Sequence, residues 1–127
     1  MPEEKGVILL VEDEEDISWA LTRILNKIGY DARAVQSGEE ALQLVKRIPF
    51  ELGFIDAKLP DIDGIELAAR LQAAGGGCPL ILISGYFYDD DMAVRDSLAE
   101  HIFCCFVSKP FGTSEITEAV RLALQSR

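Results

Sequence analysis

The stretch Val7-Ile8-Leu9-Leu10-Val11, followed at once by Glu12 and Asp13, decides the fold. Consecutive apolar residues with no polar alternation are typical of a strand that helices cover on both faces, as in a parallel sheet. Similar runs occur at 52–55, 80–83 and 102–107, and a weaker strand is predicted at 31–35. The sequence therefore predicts a sheet of five parallel strands.

Amphipathic segments separate these strands. The first is predicted to be a helix from apolar residues at helical spacing, Ile17, Leu21, Ile24 and Ile28, with Gly29 as its end. Further helices are predicted at 38–47, 64–74, 89–99 and 113–125. Ser37 and Glu40 have the spacing of a capping box before the second helix. This order predicts one α/β domain over 1–127, a doubly wound (βα)5 fold with helices on both faces of the sheet.

Composition limits the classes of partner. The 127 residues include 22 acidic and 12 basic side chains, a formal net charge of -10, which opposes binding to nucleic acid or to anionic membranes. The excess of acids favours a cation or a basic protein surface. Three cysteines without a CxxC pair, and a single histidine, indicate core thiols in a reducing compartment. With no signal peptide and no apolar run near the roughly 20 residues of a membrane helix, we expect a cytoplasmic protein.

Polar residues follow the predicted strands at the edge where ligands of such sheets gather. The set is Glu12, Asp13, Asp56, Ser84 and Lys109. Converging carboxylates repel one another unless a hard cation lies between them, which favours Mg²⁺ or Mn²⁺. The chemistry that fits is attack by a carboxylate on a phosphoryl group, with Asp56 as nucleophile. Lys109 and the metal would neutralise the transferring group, and the Ser84 hydroxyl would bond one of its oxygens.

Four motifs at these spacings resemble the receiver domains of two-component response regulators, over almost the whole chain. They are Val11-Glu12-Asp13-Glu14, the segment 56–64 (DAKLPDIDG), Ile83-Ser84-Gly85, and the segment 106–111 (FVSKPF). The resemblance implies the flavodoxin-like strand order 2-1-3-4-5. It also implies a phospho-acceptor at Asp56, Mg²⁺ held by Glu12, Asp13, Asp56 and the backbone carbonyl of Lys58, and a phosphoryl contact from Lys109. Ser84 and Phe106 would form the switch.

By the same resemblance, a sensor histidine kinase or a histidine phosphotransfer domain would supply the phosphoryl group, and a downstream protein or output domain would read the result. It leaves room for a homodimer that depends on phosphorylation. The domain would accept a phosphoryl group and lose it slowly, without being a turnover enzyme. Departures from the family pattern are Leu59 for Met, Ile102-Phe103 for Gly-Ala, and Phe106 for the commoner Tyr.

Two hypotheses come from spacing. Trp19 lies almost opposite the apolar stripe of the first helix, so we expect an exposed side chain that helps to dock the phosphoryl donor. Lys58 and Tyr86 each lie two residues after a site residue, where they would crowd the attacking water and lengthen the life of the phosphorylated state. Two alternatives stay open: a degenerate receiver that binds without phosphorylation, and a phosphatase with an aspartate nucleophile. The phosphatase is disfavoured because such enzymes usually have a second acid two residues after the nucleophile, and this chain has Lys58 there.

Overall fold

The computed structural model describes residues 6–74, 78–85 and 102–125. Its strands are β1 (Val7–Val11), β2 (Asp31–Val35), β3 (Leu52–Asp56), β4 (Leu80–Ser84) and β5 (Cys105–Ser108). The described helices are α1 (Glu15–Lys27), α2 (Gly38–Val45), α3 (Gly64–Ala73) and α4 (Thr113–Gln125). The helix predicted at 89–99, and Tyr86, lie outside the described residues.

The five strands form one parallel sheet in the order β2-β1-β3-β4-β5. This confirms the predicted α/β architecture and strand order. The order reverses at β1 and β3, so the carboxyl ends of these two strands meet at the switch point of the sheet, where such folds bind ligands.

Successive residues of the central strands contribute to two apolar layers, one on each face of the sheet, as a side-chain period of two requires. Ile8 and Leu10 of β1 point toward α1 and α4, whereas Leu9 and Val11 point toward α2 and α3. All four are fully buried. Burial on both faces explains why the sequence of β1 shows no polar alternation.

The ends of the helices differ from the prediction by a few residues. α1 ends before Gly29, whose φ of +102° lies in the left-handed region that favours glycine. α2 ends at Val45, two residues before the predicted end, because the amides of Lys46 and Arg47 bond to carbonyls three residues back in a tighter turn. α3 ends at Ala73, one residue early.

The predicted capping box of α2 is confirmed in one of its two bonds. The Ser37 hydroxyl accepts from the Glu40 amide at 3.2 Å. The Glu40 carboxylate accepts from the amide of Gln36 at 2.8 Å, one residue before the Ser37 amide of the usual motif. Both bonds satisfy amides near the start of the helix.

The last strand begins later than predicted. The expected run 102–107 is wrong at its start, because pairing with β4 begins at Cys105, opposite Ile81. Phe103 is instead buried among the α3-side residues. Alternation along a strand would put the adjacent Cys104 and Cys105 on opposite faces, but Cys104 precedes β5, and both contact the layer under α1 and α4, with their sulfurs 4.0 Å apart. The neighbouring thiol and burial raise the pKa of Cys105, which disfavours its reactive thiolate.

Candidate metal centre

The register of the sheet brings the predicted site residues to one level. Val11 of β1 pairs with Ile55 of β3. Glu12 follows Val11 and Asp56 follows Ile55, so these two acids lie side by side. Ser84 pairs with Ser108, which places Lys109 just beyond the end of β4. The amide of Lys109 donates to the carbonyl of Ser84 at 2.7 Å and fixes the loop that carries the lysine.

Lys109 holds the acidic residues together. Its Nζ lies 2.8 Å from Glu12 Oε1, 3.5 Å from Asp56 Oδ1 and 3.7 Å from Glu14 Oε1. Glu12 is fully buried and Asp56 is 4% exposed, whereas Glu14 is exposed. The pairs with Glu12 and Asp56 are therefore poorly screened by solvent, and they outweigh the more exposed contact with Glu14.

Burial dominates the electrostatics of the two inner carboxylates. It raises the pKa of Glu12 to about 7, helped by Asp56 and opposed by Lys109. Burial also raises the pKa of Asp56, while Glu12, Lys109 and the Lys58 amide act against it. Burial disfavours the ammonium of Lys109 too, but Glu12 and Asp56 outweigh this and raise its pKa. The ammonium therefore stays charged beside two carboxylates that compete for it.

The donor set fits a hard divalent cation. Oxygens of Glu12, Asp13 and Asp56 all lie within 4.8 Å of one another, and Asp13 reaches them from the exposed side. Although Lys109 forms an ion pair with Glu12 Oε1, no hydrogen bond of good geometry satisfies this buried oxygen. Three clustered carboxylates that share one ammonium suit Mg²⁺, which takes oxygen ligands and keeps several waters. Lys58 borders the cluster, since its amide lies 3.5 Å from Asp56 Oδ1.

The predicted switch residues lie on the neighbouring strands. Ser84, the last residue of β4, is 1% exposed. Phe106 is half-buried in β5, opposite Leu82, and packs against the α3-side layer. The structure thus places the Ser84 residue on the strand next to Asp56 and the Phe106 ring one strand further away, and their roles as a switch stay a prediction.

Trp19 is 63% exposed on α1, as the helical spacing predicts. The Arg23 guanidinium lies 4.8 Å from the centre of its ring. Together with Lys27 and Thr113 they border an open groove of about 600 Å³ between α1 and the start of α4. The sequence interpretation found the tryptophan but missed the two cations, although Arg23 lies four residues after Trp19 and Lys27 four residues after Arg23, a spacing that puts all three on one face of α1.

Asp61 is a further residue that the sequence interpretation missed. Its Oδ1 and Oδ2 accept hydrogen bonds from the amides of Gly38 and Glu39 at 2.9 and 3.0 Å. These donors lower the pKa of Asp61. Contacts between residues 22 and 23 positions apart leave no periodic signal in a sequence, so nothing local could have indicated them.

The fold and the acidic cluster at the carboxyl edge define a flavodoxin-like domain with a cation site at its switch point. The family model of the response regulator receiver domain matches residues 8–121. The chain therefore belongs to the response regulator receiver family of two-component signalling.

Similar proteins agree with this assignment. Sporulation initiation phosphotransferase F of Bacillus subtilis (strain 168) is 30% identical over 114 residues, which are 90% of each chain. The uncharacterized transcriptional regulatory protein YkoG of the same strain is 31% identical over 96% of this chain. Among solved structures, the signal receiver domain of an HD domain-containing protein from Pseudomonas fluorescens Pf-5 has a TM-score of 0.86 and 28% identity, over 97% of each chain.

The chain spans about half the length of several of the curated relatives that it matches. None of the four described helices has the length and apolar character needed to cross a lipid bilayer.

Proposed function

We propose that this receiver domain accepts a phosphoryl group on Asp56 from a phosphohistidine of a sensor histidine kinase or histidine phosphotransfer domain, in a reaction that depends on Mg²⁺ or Mn²⁺. The observation that carries the proposal is the cluster of Glu12, Asp13 and Asp56 with Lys109 at the switch point of the sheet. We place this exchange in the cytoplasm, where such donors act.

In this reaction a carboxylate oxygen of Asp56 attacks phosphorus and forms an O–P bond. The P–N bond of the donor breaks, and the imidazole nitrogen keeps the electron pair and takes up a proton. Asp56 is suited to this because it ends β3 and is held rigidly at the carboxyl edge of the sheet. The amide of Lys58 donates to Oδ1 of Asp56 and orients that oxygen. Lys109 keeps its ammonium within 3.5 Å of Asp56, where it can neutralise charge on the transferring group.

Glu12, Asp13 and Asp56, with the carbonyl of Lys58, would hold the cation. A divalent cation at this point supplies positive charge for the phosphoryl oxygens. Glu12 contributes a buried carboxylate whose position is fixed by its amide, which donates to the Val35 carbonyl at 3.0 Å. The chain therefore supplies an anchored inner ligand and an exposed outer one, Asp13.

The phosphorylated state would be read through Ser84 and Phe106. The buried Ser84 lies on the strand next to β3, one residue beyond Ile83, the partner of Asp56, so its hydroxyl would bond a phosphoryl oxygen attached there. Phe106 is half-exposed and has a buried layer beneath it, so it can turn inward when Ser84 moves. A downstream protein or output domain would bind the altered face, and a phosphorylation-dependent homodimer stays a prediction.

The groove beside Trp19 is our proposed docking surface for the phosphoryl donor. An exposed tryptophan stacked by Arg23 offers a large apolar contact next to positive charge. The domain would act once per donor and lose its phosphoryl group slowly, with the exposed Lys58 side chain crowding the attacking water. It would thus be a phospho-acceptor without turnover of free substrates.

Acetyl phosphate with Mg²⁺, followed by intact mass measurement, tests the acceptor. Wild type should gain the mass of one phosphoryl group, and Asp56→Asn should gain none. Asp31→Asn is the matched control, because Asp31 is an exposed carboxylate at the opposite end of the sheet. If wild type gains no adduct, the degenerate receiver is favoured. If Asp56→Asn still gains an adduct, Asp56 is not the acceptor. Turnover of a free phosphomonoester would revive the phosphatase.

A further inference from the structure

The loop between β3 and α3 is closed at its base. The amide of Gly64 donates to the carbonyl of Ala57 at 2.9 Å, and Lys58 pairs with Asp63 as an isolated antiparallel bridge. Asp63 also caps α3, since its Oδ1 accepts from the Ile65 amide at 2.8 Å. The base of the loop is therefore held by its own main chain and by the helix that follows.

The tip of the same loop is held by a different helix. The two oxygens of Asp61 accept from the amides of Gly38 and Glu39, the first two residues of α2. Amides in the first turn of a helix have no partner within the helix, and the helix dipole favours a negative charge there. The carboxylate thus satisfies two donors that Ser37, bonded to the third helical residue, does not reach.

Close packing supports the same contact. A Cβ on Gly38 would lie 2.3 Å from Ile62 Cγ2 and 3.6 Å from Asp61 Oδ1. A side chain on Gly38 would therefore force the Ile62 side chain to shift, which shows how closely the loop packs against the start of α2. Polar bonds and packing fix the tip of the loop at one place on α2.

We infer that Asp61 is a positioning residue for the metal centre, because it anchors the loop that carries Lys58 to α2. The inference rests on the proposed function, in which the Lys58 carbonyl is a ligand of the cation. With the base and the tip both fixed, Lys58 is held beside Asp56 before a cation arrives. Without the anchor, part of the binding free energy is spent on ordering the loop.

The coupling runs in both directions. If the anchor helps the loop to bind a cation, then a bound cation must strengthen the anchor by the same free energy. Mg²⁺ is therefore expected to slow hydrogen exchange at the amides of Gly38 and Glu39, although neither residue belongs to the metal centre.

The test compares Asp61→Ala with Ser37→Ala, each of which removes capping bonds from α2. The initial rate of phosphorylation by acetyl phosphate is measured against Mg²⁺ concentration. We expect Asp61→Ala to raise the half-saturating Mg²⁺ concentration by about tenfold, the lower end of the loss seen for residues that orient metal ligands. Its rate at saturating Mg²⁺ should stay close to that of wild type. Ser37→Ala should keep the wild-type Mg²⁺ dependence, and Asp61→Asn, which retains one acceptor oxygen, should lie between.

Two outcomes would overturn the inference. One is an unchanged Mg²⁺ dependence in Asp61→Ala, and the other is an equal shift in Ser37→Ala, which would assign the effect to helix stability. If Asp61→Ala fails to fold, exchange in the wild-type protein decides, and Mg²⁺ that leaves the Gly38 and Glu39 amides unaffected overturns it as well. A wild-type protein whose phosphorylation ignores Mg²⁺ refutes the proposed function itself, which is a distinguishable result.

Discussion

Gly64, the first residue of α3, has no room for a side chain. A Cβ there would lie 2.3 Å from the carbonyl oxygen of Asp56 and 2.9 Å from Cα of Ala57. Both atoms belong to the main chain of the acceptor strand and its loop, so neither can rotate away. Because ordinary Cβ contacts begin at 3.4 Å, Gly64→Ala must separate α3 from Asp56 by about 1.1 Å, the difference between 2.3 and 3.4 Å.

Two effects of Gly64→Ala have opposite signs. Helix propensity alone predicts a stabilisation of up to about 1 kcal/mol, whereas overpacking costs about 1–3 kcal/mol. The upper end applies because the colliding atoms are main chain, which leaves a net loss of about 2 kcal/mol. For a domain of this size that is a fall in melting temperature of roughly 8 °C. A displacement of Asp56 by about 1 Å should also slow phosphorylation by about 100-fold.

Thermal unfolding without metal, and the initial rate with acetyl phosphate and Mg²⁺, measure the two effects separately. Gly85→Ala is the control, because its Cβ would meet nothing nearer than Lys109 Cδ at 3.9 Å, an ordinary contact. We expect this control to melt near the wild-type temperature. A Gly64→Ala protein that melts at or above the wild-type temperature and is phosphorylated at the wild-type rate would refute the argument.

Three further predictions concern charge and docking. Lys109→Met leaves Glu12 and Asp56 without their ammonium, so it should lower the free energy of unfolding in urea by about 3 kcal/mol at about pH 8. The loss should be clearly smaller at about pH 6, where Glu12 can take up a proton. Equal losses at the two pH values would contradict this. Since the pKa of Glu12 is raised from 4.5 to about 7, the folded chain holds a proton that the unfolded chain releases, and stability without metal should fall as pH rises through that window. Mg²⁺, which needs the ionised carboxylate, should then raise the melting temperature more at about pH 8 than at about pH 6, and an equal rise would count against the assignment of Glu12. Trp19→Ala should change stability by less than about 0.5 kcal/mol and leave acetyl phosphate labelling intact while slowing transfer from a cognate phosphohistidine donor; unchanged transfer would remove Trp19 from the docking surface.

Much of the fold could be predicted because its strands are buried on both faces. The run 7–11 has no polar residue, and this pattern is typical of the inner strands of a parallel sheet. Once the strands are placed, the carboxyl edge follows, and Glu12, Asp56 and Lys109 are predicted to lie along it. The start of β5 could not be read in the same way, because Phe103 is apolar whether it pairs in the sheet or fills the layer beside it.

Contacts that join distant parts of the chain were beyond the sequence. The ion pair of Lys109 with Glu12 depends on a register between strands, and the bonds from Asp61 to α2 cross more than twenty residues. Charged side chains such as these bond to whatever partner the fold brings near them. Their residue types do not indicate which distant residue that partner will be. The nearness of the Cys104 and Cys105 sulfurs has a local origin instead, because Cys104 precedes β5 and does not follow the alternation of the strand.

The acidic residues at the carboxyl edge divide into two groups with different electrostatic partners. Asp61 and Asp63 accept hydrogen bonds from amides at the starts of α2 and α3, which stabilise their negative charge without a cation. Glu12 and Asp56 form ion pairs with Lys109, and Asp13 lies in the same cluster, so these three carboxylates and one ammonium give a formal charge of −2 when all are ionised, leaving aside the exposed Glu14 at 3.7 Å from the ammonium. One divalent cation balances that charge. A phosphoryl group on Asp56 adds roughly one more negative charge. After phosphorylation, one divalent cation and Lys109 therefore leave roughly one negative charge of the cluster unbalanced, whereas Asp61 and Asp63, bonded to helix amides, make no further demand on that cation.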